Sequence, residues 1–229
     1  MDRDFQRKLA SAIEHLSRVS PELREWISTF GPCTLKIAEE QELYVALVRA
    51  IAHQQLHGRA AETILGRLRA AYGGEMPPPR KLARARIDKL RAMGFSNAKA
   101  LAIIGVAKAA LNGTIPTLAE AAALSNEELI ERLTELRGIG QWTVEMLLIF
   151  TLGRMDVMPV DDFGVQTGLK LLLKLKSHPK KKADFDKHTA AWSPYRSVAA
   201  WYLWRKVEAV RAAALQAKPR QPSKSAIRN

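Results

Sequence analysis

Cysteine is almost missing: a single one, Cys33, stands among 229 residues. Internal disulfides are therefore excluded, and with them any four-cysteine zinc or iron–sulfur site. Acidic residues are scarce beside basic ones, 23 Asp and Glu against 36 Lys and Arg, which leaves a formal net charge of +13. That balance, with a sequence pI near 10.1, makes a polyanion the first partner to consider, the plainer alternative being a solvated basic surface. No apolar run reaches the roughly 18 residues needed to span a bilayer, and Met1-Asp2-Arg3-Asp4-Phe5-Gln6-Arg7-Lys8 holds no apolar signal core. No membrane partner is expected, and a cytoplasmic location is, at the nucleoid if the source is bacterial. Period-two alternation and Asn-Gly hairpins are missing as well, so the expected fold class is all-α, with roughly nine to eleven helices. No solenoid-type repeat is present either.

What the chain does have is helical punctuation, and 47% apolar residues suffice for a core, in one large domain or two small ones. Phe5, Leu9, Ile13 and Leu16 recur at helical spacing, and Ser20-Pro21-Glu22 reads as an N-cap with Pro at the first position of a second helix, ending at Gly31. Helices are expected over 40–53 and 58–72, then a rigid loop at Pro77-Pro78-Pro79, a helix over 87–94, and another to 112 capped by Ser96 or Asn97. Ser125-Asn126-Glu127-Glu128 carries capping-box chemistry. A helix after Gly140 runs to about 152, another starts at Asp161 or Asp162 and runs to about 175, and the last begins near Pro194. Lys180-Lys181-Lys182 is expected in a solvated loop. Residues 1–216 form the folded part on this reading, and 217–229 a basic, disordered tail.

The stretch with most chemical content is Leu136-Arg137-Gly138-Ile139-Gly140-Gln141-Trp142-Thr143. Two glycines flanking one apolar residue, between an amphipathic and an apolar run, specify a tight turn between helices, with Ile139 as a plug. Such a turn bares backbone N–H groups beside a helix N-terminus, which suits a phosphate without any basic side chain. Downstream, Pro159-Val160-Asp161-Asp162 offers a carboxylate pair. Either Asp can do no more than cap a helix, but an ionised carboxylate also stabilises an oxocarbenium-like sugar and orients water.

These pieces, with Ile51-Ala52-His53-Gln54-Gln55-Leu56 and Trp192-Ser193-Pro194-Tyr195-Arg196-Ser197, resemble the helix-hairpin-helix DNA glycosylases, especially the 3-methyladenine DNA glycosylase II branch, over about residues 42–204. The resemblance implies two helical subdomains with the active cleft between them. It also implies base excision repair by a monomer acting on alkylated bases in duplex DNA. Family members with a longer, β-rich amino-terminal region differ from this chain, whose residues ahead of Gln54 read as helices, so the compact form is expected.

By resemblance the catalytic carboxylate is the second of the pair, Asp162, leaving Asp161 as a cap or structural partner. Trp142 stands where lyase-type members hold a lysine nucleophile, and Trp forms no Schiff base, so a monofunctional hydrolase is implied. Met146 stands where the family has a Tyr. Trp201, Tyr202 and Trp204 crowd one helical segment, Trp201 and Trp204 at i, i+3, and such a wall attracts cationic purines at about 0.5–2 kcal/mol per ring. Core packing is the competing reading for these aromatics. Gln54, Gln55 and Leu56 are implied to enter the minor groove and fill the space left by an extruded nucleotide, although Leu56 also suits a core. Gly138, Ile139, Gly140, Gln141 and Thr143 are the implied phosphate-binding positions, and the carbonyls of Thr134, Leu136 and Ile139 an implied Na+ or K+ site. Arg137, Lys99 and Lys170 are auxiliary phosphate candidates. His53 and His57 share i, i+4 spacing but lack the zinc-hydrolase Glu, so no metal is expected there, and no cofactor is expected for catalysis. The remaining alternatives are a non-catalytic helix-hairpin-helix module for bent or damaged DNA, and a glycosylase for neutral lesions such as hypoxanthine.

Overall fold

In the computed structural model, which describes residues 3–38, 42–56, 58–179 and 181–216, thirteen α-helices and one short 3-10 turn account for all the regular structure. The expected tail 217–229, Glu40, His57 and Lys180 lie outside the described residues. The chain divides into two compact units, a terminal one from the described parts of 1–34 and 160–229, and a central one from those of 35–159.

The central unit holds α3 (Leu43–His53), α4 (Gly58–Ala70), α5 (Pro79–Leu82), α6 (Ile87–Ala92), α7 (Asn97–Leu111), α8 (Leu118–Ala123), α9 (Asn126–Thr134) and α10 (Gln141–Phe150). Its axis is α7, whose Ala100, Ala102, Ile103, Val106, Ala107 and Ala109 are all buried, against α3, α5 and α6. Four of those six are alanines, small enough for neighbouring helices to approach closely, while Leu47, Val48 and Ile51 of α3 supply bulk. Ser96 is the cap of α7, its hydroxyl accepting from the Lys99 amide at 3.3 Å. Ser125 and Glu128 form the expected capping box at the head of α9.

The terminal unit joins α1 (Arg3–Val19) and α2 (Pro21–Phe30) to α11 (Phe163–Leu172), α12 (Lys182–Thr189), the 3-10 turn Ala190–Trp192 and α13 (Arg196–Gln216). Its tightest joint is α11 on α13. A Cβ on Gly168 would sit 2.4 Å from the Leu203 carbonyl oxygen, so α11 lies with its bare backbone against α13.

Three helices escape the sequence reading, one of them the four-residue α5, which opens at Pro79 where a rigid loop is expected. The six-residue α8 is too short to show a period, though Thr117 and Glu120 give it a capping box. The third, α12, takes Lys182 into its first turn and Lys181 as its cap, where a solvated loop is expected; only Phe185 and Thr189 of it are buried, so the apolar stripe is too sparse to register. Among the described residues no helix is long and apolar enough to cross a membrane.

Gly168→Ala is expected to lower stability by about 1–3 kcal/mol, because the added methyl meets backbone rather than a side chain that can swing away. Gly66→Ala in α4, where an added Cβ meets nothing within 4 Å, should be neutral or slightly stabilising. Urea denaturation midpoints of the two variants test the contrast.

Candidate active site and nucleic-acid interface

In the central unit the turn between α9 and α10 has the expected shape, but its two glycines do different work. Gly138 takes φ +83°, the left-handed region, and a Cβ there would stand 3.0 Å from the Ala102 methyl of α7. Gly140 is extended at φ −101°, ψ 169°, and is the N-cap of α10; what it contributes is the lack of a side chain over the helix mouth. Ile139 is 4% exposed and plugs the turn. Among the described residues, the amides of Gly138, Gly140 and Gln141 donate to no protein acceptor. Three donors beside the positive end of α10 therefore point to a phosphate-sized anion.

Thr143 departs from its expected role as a DNA contact. Its side chain is 4% exposed and its amide donates to the Gly140 carbonyl at 2.9 Å, so neither group remains for a ligand. Gln141 is exposed, with its side-chain Nε2 donating to Glu145 Oε1 at 3.0 Å.

The turn after α3 lies beside this hairpin. Gln54 donates through Nε2 to the Gly138 carbonyl at 2.9 Å. Gln55 stands at φ +54°, unusual for a residue with a side chain, and Leu56 is 40% exposed rather than in the core. The minor-groove candidates and the candidate phosphate-binding hairpin are thus brought together. Lys99 does not join them as a surface charge: its ammonium donates to the carbonyls of Ala52 at 2.8 Å and Gln54 at 2.6 Å. Burial holds its pKa below the ordinary lysine value. His53 is engaged by Glu62 Oε1 at 3.1 Å. On α10, Trp142 is 42% exposed, and Met146 lines a hollow of about 210 Å³ with Ala46, Arg49, Ala50 and Phe150.

In the terminal unit Asp162, not Asp161, is the helix cap. Its Oδ1 accepts from the Val165 amide at 2.8 Å and from the Trp204 indole Nε1 at 2.9 Å. Space for this arrangement comes from Gly164, where a Cβ would approach Trp204 Cδ1 to 2.8 Å and Asp162 Oδ1 to 3.0 Å. Asp161 is exposed. Of the three aromatics expected to form one wall, Trp204 alone reaches the carboxylate. Tyr202 is fully buried and donates its hydroxyl to the Gly31 carbonyl at 3.0 Å. Trp201, 6% exposed, packs edge-on against Tyr202 and Phe30. Both belong to the core of this unit, which also contains Trp26, whose indole donates to the Tyr202 carbonyl at 3.1 Å.

An all-helical chain whose glycine hairpin offers free amides, and whose later aspartate is fixed at a helix head by an indole, defines a helix-hairpin-helix protein with a candidate hydrolytic carboxylate. The model of the HhH-GPD superfamily base excision DNA repair proteins matches residues 48–194, and the chain belongs to that superfamily. It is 46% identical over 168 residues, 73% of each chain, to the DNA-3-methyladenine glycosylase 1 of Schizosaccharomyces pombe. With the alkylbase DNA glycosidase-like protein mag2 of the same yeast it shares 37% identity over 206 residues, covering 89% of this chain and 94% of that one. Among solved structures, the S. pombe 3-methyladenine DNA glycosylase Mag1 in complex with abasic DNA is similar, with a TM-score of 0.75 at 42% identity over 85% of this chain and 95% of that one.

The two glycines of the hairpin should respond unequally to alanine. Gly138→Ala is expected to cost about 1–2 kcal/mol from the left-handed backbone and the contact with Ala102. Gly140→Ala, with open space around it, should cost roughly 0.5 kcal/mol of capping preference. Thermal melts of both variants check the order.

Proposed function

We propose that this protein is a monofunctional DNA glycosylase of base excision repair, acting as a monomer on duplex DNA and removing alkylated purines such as 3-methyladenine and 7-methylguanine. The observation that carries the reading is the carboxylate of Asp162, held at the head of α11 by the Val165 amide and the Trp204 indole. Relatives named as 3-methyladenine glycosylases supply the substrate class.

The chemistry follows from charge. A purine alkylated at N3 or N7 is already cationic, so the C1′–N bond breaks with its electron pair leaving on a base that departs neutral, and no acid is required. Positive charge builds on the sugar instead. An ionised carboxylate stabilises it, and a water oxygen then bonds to C1′ while its proton passes to the carboxylate or solvent. The hairpin amides hold a phosphate of the same strand, and Leu56 fills the gap left by the flipped nucleotide against an unstacking cost of a few kcal/mol. The carbonyls of Thr134, Leu136 and Ile139, following the negative end of α9, form an all-oxygen donor set suited to Na+ or K+, which would tie hairpin to phosphate. Within the terminal unit Trp204 is the aromatic surface assigned to the base; within the central unit Trp142 is exposed and Met146 lines a hollow.

Incubation with methylated DNA is expected to release 3-methyladenine or 7-methylguanine, and Asp162→Asn to slow release by at least ~10²-fold. Release at the wild-type rate by Asp162→Asn would refute the catalytic assignment. Equal binding of intact and methylated duplex with no release from any substrate would leave a DNA-binding module, and release of hypoxanthine alone would move the substrate class to neutral lesions.

Borohydride reduction during the reaction should trap no protein–DNA adduct, because Trp142 offers no amine for a Schiff base. A strong adduct on gel electrophoresis would overturn the monofunctional reading.

A further inference from the structure

Lys99 has a place in this structure that its sequence neighbourhood does not announce. It lies in the first turn of α7, yet its ammonium reaches the C-terminal end of α3 and donates to the carbonyls of Ala52 and Gln54. Those carbonyls belong to the last turn and the cap of α3, where acceptors go unused and the helix dipole is negative. A cation there fixes the direction in which the chain leaves the helix. Immediately beyond, Gln55 adopts φ +54° and Leu56 projects into solvent. The side chain of the same Gln54 turns the other way and donates to the carbonyl of Gly138. The hairpin is in turn seated on α7, since the Gly138 Cα faces the Ala102 methyl one helical turn beyond Lys99. Three pieces close into a ring: Lys99 to Gln54, Gln54 to Gly138, and Gly138 back to α7.

We propose that Lys99 is a positioning residue that clips the Gln54–Leu56 turn to the Gly138 hairpin, so that the side chain filling the vacated stack and the amides gripping the phosphate meet DNA as one preset unit. The proposal rests on the glycosylase reading for its biological use, but the clip itself is a property of the central unit. It opposes the simpler role of a basic residue near DNA, a direct phosphate contact. A lysine whose ammonium is already divided between two carbonyls and partly desolvated is poorly placed for that role. Presetting matters because each group ordered in advance need not be ordered on binding, and the gain falls on DNA that has a gap for Leu56.

The test uses the full chain and two duplexes, one intact and one with a tetrahydrofuran abasic-site analogue, titrated over a range of salt. Lys99→Met is expected to lower the preference for the abasic duplex about tenfold, the loss corresponding to one hydrogen bond to a charged group. The slope of log affinity against log salt should stay as in wild type. Leu56→Ala should weaken abasic-duplex binding in the wild-type background and add little in Lys99→Met, whereas Lys99→Arg should restore most of the preference. Equal weakening of both duplexes with the salt slope reduced by about 0.9 would make Lys99 a phosphate contact and overturn the proposal. Full additivity of the Lys99 and Leu56 changes would overturn it as well. If Lys99→Met does not fold, Lys99→Gln, which removes the charge and keeps a polar side chain, carries the same test. Hydrogen exchange separates the two readings: faster exchange of the hydrogen-bonded Leu136 and Ile139 amides in the variant supports the clip even if wild type releases no base. Unchanged exchange removes the clip whatever the DNA results.

Discussion

The carboxylate of Asp162 is fixed by two N–H groups that converge on one oxygen, one from its own helix and one from the indole of Trp204. The first is local and follows from sequence, since Asp at an N-cap accepts from the third helical amide. The second is tertiary and depends on how closely α11 and α13 approach. Gly168 lets the two helices touch through backbone at Leu203, one position before Trp204. Gly164 then leaves the indole room to lie across the helix head. Two absent side chains, spaced one helical turn apart on α11, thus set the position of the candidate carboxylate, and the aromatic cluster of Trp26, Phe30, Trp201 and Tyr202 packs α13 against α2.

Positive charge is distributed in a way that net charge conceals. Several cations satisfy orphan carbonyls in place of a partner. Lys99 serves the end of α3, Arg154 donates to the carbonyls of Ala121 and Leu124 at the end of α8, and Arg132 donates to those of Gly113 and Thr114 after α7. Each is a charge-assisted bond at the negative end of a dipole, where a cation belongs energetically. A polyanion is therefore met by fewer free charges than +13 implies. The hairpin amides, which carry no formal charge, gain in importance accordingly.

Local signals in the sequence were faithful where local physics decides. Ser20, Ser96, Ser125 and Asp162 all cap the helices their types specify, and Ile139 plugs its turn, because caps and tight turns are settled within a few residues. Which of Trp201, Tyr202 and Trp204 faces outward was not legible. Spacing of one and three residues on a helix places them on adjacent faces, but the face that is buried is chosen by Trp26, Phe30 and Gly31, over 170 residues away in the case of the Trp26–Tyr202 and Gly31–Tyr202 bonds. Lys99 escaped for the same reason: nothing near it in sequence marks the carbonyls it serves, 45 and 47 residues earlier. The resemblance implied Thr143 as a DNA contact, yet the residue is buried and its amide donates to the Gly140 carbonyl. The short α8 and the sparsely apolar α12 lie below what periodicity resolves.

Capping and the proposed catalysis, which the sequence presents as competing roles for Asp162, call for the same held carboxylate. The Val165 amide and the Trp204 indole hold one oxygen of that carboxylate in place. The proposed reaction asks for little proton transfer: the leaving base carries its own positive charge, and what the transition state needs is a fixed negative charge facing C1′. Preorganisation then counts for more than basicity, because a carboxylate already held need not reorient as charge develops. On the proposed reading cationic lesions suit such a held carboxylate better than neutral ones, whose bases would need a proton before they could leave.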